Sequence, residues 1–526
     1  MPLRHGLVAS RKRIGGLQAA TSPSMRLLHG SRPTEVIGPL MAGIGVAGML
    51  YGTKMLLELA SGAAAKRPTT GDDGPTRASS EPEDARSSGF SSPSSDGMRP
   101  AESYFTTSAM GIDLGHGAKE WSGACAAIVS GGGVRVVENE QGSRCTPNAI
   151  AFTDSGEVVV GQPAKNLLFS RSAKTVVGHG LLHGVEYGSA ECDELLAAGL
   201  FPFEVTADAQ TNAALVRVHS VSHAPEAMSA RMLSQLKASS EEALGGSISI
   251  LSAVIGSPVL ATEPTRDALL AAGKRAGLHR VELIDEPVAA ALAAELEIGS
   301  LASARRLGVY DLGGRSFSFS VLERQGGSAA AGERGSGAAA EEAGEGSVAG
   351  WSVLAARRRT LLGGESFDDA LVESLVEGFK EEHGIDLTHD PLALQRLHEA
   401  AEGAKVELSS SSGMAAISLP FITADASGPK HMDVTISRAK FDALAQPTLK
   451  QTSSVSEEAL RAASLRPSDL DAILLTGGSA RLSAVVDHAA ALFGRSPLRT
   501  ARPEEAIALG AAVHAQHLQA LQYGGR

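Results

Sequence analysis

Cysteine, aromatic side chains and surplus positive charge are all scarce in this sequence. Cys125, Cys145 and Cys192 are the whole thiol complement of 526 residues, an odd number without a C-x-x-C pair, which argues against a disulfide framework and a structural zinc site. Lysine and arginine number 47 against 59 aspartates and glutamates, a formal charge of −12 at pH 7. Tracking a nucleic-acid backbone requires basic groups that displace counterions from phosphate, so nucleic acid is not an expected partner. Trp121 and Trp351 are the only tryptophans, while alanine, glycine and serine are abundant. With 43% hydrophobic residues the chain can build a sizeable core, and it is too long for one typical compact domain. Two lobes or two domains are expected.

No acidic residue precedes Glu35, whereas Arg4, Arg11, Lys12, Arg13, Arg26 and Arg32 recur among Ser, Leu and Gly. Residues 1–35 therefore read as a mitochondrial targeting segment, with an unstructured basic tail as the alternative. From Val36 to Thr53 no charge appears, and the apolar run continues past Lys54 to Leu57. At about 1.5 Å per helical residue this is long enough for residues 36–60 to form a single transmembrane helix, with Gly48 and Gly52 allowing close approach of a second one. A second targeting element or a surface helix are the competing readings. The expected location is a mitochondrial membrane, or another organelle membrane. Residues 61–105 are Ser, Pro, Gly and charge, with too little apolar surface to offset ordering, and read as a disordered linker. Residues 325–350 have the same character and read as a low-complexity loop inserted into a hairpin.

The rest alternates between strand and helix patterns, which implies an α/β architecture. A β-rich run at Ser247–Ile255, helical spacing from Thr265 to Leu278 and a strand at Val281–Ile284 read as a βαβ unit. Helical periodicity dominates from Ser366 to Leu408. Within this pattern two stretches repeat. Gly111-Ile112-Asp113-Leu114-Gly115-His116-Gly117 is an apolar strand ending in Asp and glycines, and Val309-Tyr310-Asp311-Leu312-Gly313-Gly314-Arg315-Ser316 is a second copy. Glycine lets such a turn bring backbone N–H groups to phosphate, and an Asp at the strand end can hold Mg²⁺ through its waters. Thr476-Gly477-Gly478-Ser479-Ala480-Arg481 follows another buried-type strand and permits close approach to a flat ring, on which Arg481 could stack. Asp285-Glu286-Pro287 puts a carboxylate at a helix start.

Taken together, the order and spacing of these four stretches resemble the actin, sugar-kinase and heat-shock ATPase superfamily. Glu138–Gly142 with Thr146-Pro147, Val158–Asn166, Leu362–Asp368 and Glu402–Lys405 are similar to signatures of the 70-kDa heat-shock (DnaK-type) family, and Leu419–Asp425 with Gly428–His431 to its bacterial and mitochondrial branch. The resemblance runs from about Ala109 to Leu521 and implies an actin-like ATPase fold, with lobe I at 106–303, lobe II at 304–500 and a C-terminal helix at 501–526 returning to lobe I. It further implies ATP or ADP with Mg²⁺ in the cleft: Asp113 and Asp311 organising the metal through water, and Glu286 beside the attacking water. Gly115, His116, Gly313, Gly314 and Ser316 would take the phosphates. Glu402, Lys405, Ser409, Gly477, Gly478, Ser479, Arg481 and Glu504 would enclose adenosine.

The phosphate half departs from the family pattern. His116 and Gly117 stand where the family has two Thr, Arg315 for Gly, Ser316 for Thr, Ser318 for Asp, and Gly180 for the catalytic Lys. Since phosphoryl transfer depends on positioning and cationic stabilisation, weak ATP hydrolysis at most is expected, with His116 or Arg315 as substitute donors. The chain ends at Arg526, so no direct peptide clamp is expected. The resulting expectation is a nucleotide-binding heat-shock relative acting in protein folding or quality control through a J-domain co-chaperone or nucleotide exchange factor. The alternative is a nucleotide-independent pseudoenzyme scaffold.

Overall fold

The computed structural model describes residues 108–115, 117, 122–130, 133–168, 174–325, 350–410 and 413–524. The expected targeting segment, transmembrane helix and linker lie outside these residues, as do His116 and all but the ends of the inserted loop. Among the described residues no helix is long and apolar enough to cross a membrane.

Two five-stranded runs dominate. In the first, β1 (Ala109–Asp113) pairs antiparallel with β2 (Ala124–Ser130), which pairs with β3 (Gly133–Val136); on the other flank of β1 lie β4 (Ser252–Ser257) and β5 (Arg280–Asp285), both parallel to it. In the second, β6 (Arg306–Leu312) pairs antiparallel with β7 (Ser316–Arg324) and β7 with β8 (Trp351–Thr360); β9 (Ala472–Thr476) and β10 (Leu498–Arg499) run parallel on the far side of β6. The two sheets thus have the same order and sense, β5-β4-β1-β2-β3 against β10-β9-β6-β7-β8. This duplication puts Asp113 and Asp311 at corresponding ends of corresponding strands.

Local sequence explains the boundaries. The 20-residue helix Gly364–His383 stops at Gly384, whose φ of 69° is left-handed, and the next helix, Pro391–Ser409, begins after Asp390, whose carboxylate accepts from the N–H groups of Leu392 and Ala393. The continuous periodicity from Ser366 to Leu408 therefore resolves into two helices. The β-rich run from Ser247 enters the sheet only at Ser252, where the chain becomes buried. Smaller sheets decorate both halves: Ala149–Phe152 with Val158–Val160 and Thr175–Val177, Glu204–Ala207 with Ala214–Val218 and Val221–His223, and the long hairpin Met414–Asp425 with Gly428–Ser437.

Between the two main sheets lies a core made largely of alanine. The helices Glu286–Glu297 and Ala506–Gly524 contribute Ala289, Ala290, Ala291, Ala511 and Ala515 to one buried cluster with Val254, Val309, Leu474 and Trp351. Small side chains let the two helices touch backbone to backbone. A Cβ on Gly510 would sit 1.7 Å from the Ala289 carbonyl oxygen, and one on Gly111 would sit 2.1 Å from the Ala512 nitrogen. The alanine bias of the sequence is thus in part a packing requirement.

Gly510→Val is expected to force these helices apart and cost about 1–3 kcal/mol or more, read as a lower thermal midpoint. Gly378→Ala is the contrasting case: this glycine lies inside a helix with no atom within 4 Å of an added Cβ, and about 0.5–1 kcal/mol of stabilisation is expected.

Candidate functional site

Asp113 ends β1, Asp311 lies in β6 one residue before its end, and Glu286 opens the helix after β5. All three line one cavity together with Gly115, Gly313, Gly314 and Ser316. Two glycines there are obligatory. Gly115 has φ 53° and a Cβ on it would meet the Gly123 carbonyl oxygen at 2.6 Å; Gly477, at φ 84°, would meet that of Leu312 at 2.4 Å.

Burial dominates the electrostatics of the carboxylates. It pushes Asp113 up to about 6, against the opposing effect of the Gly115 N–H that donates to its Oδ1 at 2.9 Å. Burial, reinforced by the charge of Asp113, raises Asp311 to about 7, with the Arg358 guanidinium acting in the other direction. Glu286 is held well above the carboxylate range, first by burial and then by Asp311 and Asp113, again opposed by Arg358. Oxygen donors that are desolvated and mutually repelling suit a hard divalent cation, so Asp113 and Asp311 fit Mg²⁺.

A second cavity adjoins the first through Gly313, Gly314 and Gly478 and is lined by Glu402, Lys405, Val406 and Ser479. The Lys405 ammonium donates to Asp368 Oδ2 at 2.7 Å and to the Gly364 carbonyl at 3.1 Å, which fixes it at the cavity wall. Lys165 lies 4.0 Å from Glu402, joining the short helix Gln162–Leu167, which sits between two strands of the first small sheet, to the helix Pro391–Ser409. Gly477, Gly478 and Glu504 border the carboxylate cavity. Two expected residues behave differently. Arg481 lines none of these cavities and is ion-paired to Glu504, its Nε donating at 2.9 Å, and the Ser409 hydroxyl donates to the Val406 carbonyl of its own helix at 2.7 Å.

A third cavity shares Asp113, Gly115 and Glu286 with the first and is bounded by Gly180, His183 and Ser229. No lysine lines it among the described residues. Instead the Ser229 hydroxyl bridges His183 Nε2 at 2.9 Å and His179 Nε2 at 3.1 Å, and burial lowers His183 to about 4, leaving it neutral. The three cavities form one continuous series, from Lys405 through the carboxylates to Gly180.

Three groups at the site were not foreseen: Ser122, the His183–Ser229 pair and Arg358. Register explains Arg358. Asp311 lies opposite Ser318, and Ser318 opposite Arg358, so the three share one row and one face across β6, β7 and β8. The run Arg357-Arg358-Arg359 just before Leu361-Leu362-Gly363-Gly364 was the available signal.

Duplicated sheets around a glycine-lined, carboxylate-bearing cleft define an α/β protein of the two-lobed ATPase class. The family model described as Hsp70 protein matches residues 109–333 and 344–522, and the chain belongs to that family. It is 38% identical over 404 residues to the chaperone protein DnaK of Stenotrophomonas maltophilia (strain R551-3), a match covering 77% of this chain and 58% of that relative. The chain thus spans well under two thirds of the length of this curated relative.

Asp311 binds its proton more tightly folded than unfolded, since its folded value is about 7 against the ordinary 3.8. Any stability linked to this group is present below about pH 4 and lost as pH rises through 7. Asp311→Asn is therefore expected to raise the melting temperature of the ligand-free protein at pH 8, by an amount equivalent to roughly 1–4 kcal/mol, and to have little effect at pH 4. A gain that grew toward acid pH would contradict this reading.

Proposed function

We propose that this core binds ATP and ADP with Mg²⁺ in the cleft between its two sheets and serves protein folding or quality control through partners, with ATP hydrolysis slow or lost. The observation that carries the reading is the series of joined cavities: a lined pocket at Glu402, Lys405 and Ser479, glycine turns at its middle, and desolvated carboxylates beyond. Adenosine fits the first and the phosphates the second.

Bound Mg²⁺ would supply the positive charge that keeps Asp113 and Asp311 ionised and screens the phosphates. The chain's own contributions can be followed residue by residue. Gly313 and Gly314 leave the backbone open to phosphate, with the Gly313 N–H already committed to the Ser316 carbonyl at 3.0 Å. Burial and the charges of Asp311 and Asp113 favour the protonated form of Glu286, and neutralising those two neighbours would favour the ionised one. At Gly180 no ammonium reaches the terminal phosphate, and removal of one such group from a preorganised site commonly costs ~100- to 1000-fold in rate.

Calorimetric titration of the full chain with MgATP and MgADP is expected to show binding of both. Single-turnover hydrolysis should run at least ~100-fold below that of an intact family member assayed beside it. Gly180→Lys, which adds an ammonium to the cavity shared by Asp113 and Glu286, should raise the rate. Failure to bind either nucleotide would favour the scaffold reading, in which the domain engages a J-domain co-chaperone or exchange factor without a ligand.

The basic residues 1–35, free of acid before Glu35, and the largely apolar residues 36–60 support a mitochondrial, membrane-tethered protein. Carbonate extraction of isolated mitochondria should leave the full-length chain in the pellet; release into the supernatant would remove the tether.

A further inference from the structure

Among the polar groups of the cleft that are buried without a hydrogen-bond partner, two approach from opposite sheets. The first is the Ser122 hydroxyl, just before β2. It occupies the space beside Gly117: a Cβ there would lie 1.9 Å from Ser122 Oγ and 2.6 Å from Ser122 Cβ. The Gly117 N–H donates to the Ser122 carbonyl at 2.9 Å, and the Gly117 carbonyl accepts from Asn148 N–H at 3.1 Å, so the two ends of this turn are pinned together. Gly117 is therefore not an empty position. A serine five residues along the chain fills it with its hydroxyl, and the same side chain stands against Gly314, where an added Cβ would lie 2.5 Å from Ser122 Cβ and 2.8 Å from Oγ.

The second group is Nη1 of Arg315, the residue after Gly314. Its side chain is 12% exposed, and its Nε donates to Glu365 at 3.0 Å. Nη1 is left unpartnered. It reaches across to the first half of the molecule, 3.6 Å from where a Cβ on Gly178 would stand, two residues short of Gly180. Arg315 lines the carboxylate cavity together with Ser122, Asp113 and Glu286, in the middle of the series, with Nη1 directed to the Gly178 side, from which Gly180 enters the third cavity.

A buried donor with no protein partner is costly, and a ligand that supplies an acceptor relieves that cost. A guanidinium beside glycine turns matches a phosphate oxyanion in charge and in planar geometry. Resting on the nucleotide-binding reading above, we propose that Ser122 and Arg315 form a clamp for the terminal phosphate of a nucleoside triphosphate, closing the cleft with one group from each half. Arg315 selects the triphosphate over the diphosphate, because its unpartnered Nη1 lies toward Gly178, on the Gly180 side of the carboxylate cavity rather than the Lys405 side. Ser122 supplies the hydroxyl that Gly117 lacks.

The test is titration of the full chain and its variants with MgATP, MgADP and a non-hydrolysable ATP analogue. Arg315→Met, which keeps volume and removes charge, is expected to lose ~10- to 100-fold in affinity for ATP and the analogue and no more than ~3-fold for ADP, with Arg315→Lys between it and the parent. Ser122→Ala should lose ~3- to 10-fold for the triphosphates. Gly117→Thr should weaken binding by collision with Ser122, and Gly117→Thr combined with Ser122→Gly should recover it. Thermal melting of each variant separates lost binding from lost folding, and the paired rescue is independent of both. An unchanged ratio of ATP to ADP affinity in Arg315→Met, together with no recovery in the double variant, overturns the clamp while leaving nucleotide binding intact. If the parent chain binds neither nucleotide, the binding reading itself falls and the clamp with it.

Discussion

Burial raises the proton affinity of Asp113, Glu286 and Asp311, and the three stand close enough that the charge of Asp113 adds to the effect on Asp311, and those of Asp311 and Asp113 to the effect on Glu286. Such a group is unfavourable in an empty protein, and a fold retains it only where something cationic balances it or a ligand does so on arrival. Much of the architecture can be understood as the means of holding that crowding in place. Three separate elements, β1, β6 and the helix that follows β5, each deliver one acid, and each is anchored in a sheet or an alanine-packed helix that cannot move without disrupting a core.

The matching order of the two sheets is what brings the acids face to face. Because β1 and β6 occupy the same place in equivalent sheets, the turns after them project into the same cleft. The small-residue helices behind them permit a close contact, with Gly510 against Ala289 and Gly111 against Ala512. A bulkier interface would set the sheets further apart and widen the distance between Asp113 and Asp311. The packing of the core and the electrostatics of the cleft are therefore one constraint seen from two sides.

The sequence made the alternation of elements, the two Asp-Leu-Gly turns and the Gly477-Gly478 turn legible, because each depends on local backbone requirements that only certain residues meet. It also made Gly180 conspicuous as a missing cation. What it hid were relations across strands and across turns. Arg358 enters the site through a register that joins Asp311, Ser318 and Arg358 in one row, and a register is set by pairing that no short window encodes. Ser122 looked unremarkable because five positions separate it from Gly117, and only the closed turn shows one filling the other's space. The resemblance implied Lys405 and Ser409 as nucleoside contacts; Lys405 lies on the cavity wall, bound to Asp368, and the Ser409 hydroxyl donates within its own helix. Short polar side chains near a backbone carbonyl often choose it, and the sequence does not say which.

Charge placement separates binding from turnover in this cleft. Gly180 removes a cation from the first half, while Arg315 and Arg358 add two from the second, one beside the glycine turn and one in the row with Asp311. Glu365 balances part of the charge of Arg315, and in the proposed reading affinity for a polyanion depends mainly on the total that remains. Acceleration of phosphoryl transfer depends instead on where the charge stands as the bond breaks. Arg315 is tied to Glu365 and Arg358 faces carboxylates, so neither guanidinium is free to follow a departing phosphoryl group as a lysine on a flexible stem could. Under the proposed nucleotide-binding reading, a cleft rebuilt in this way would hold a nucleotide more readily than it cleaves one.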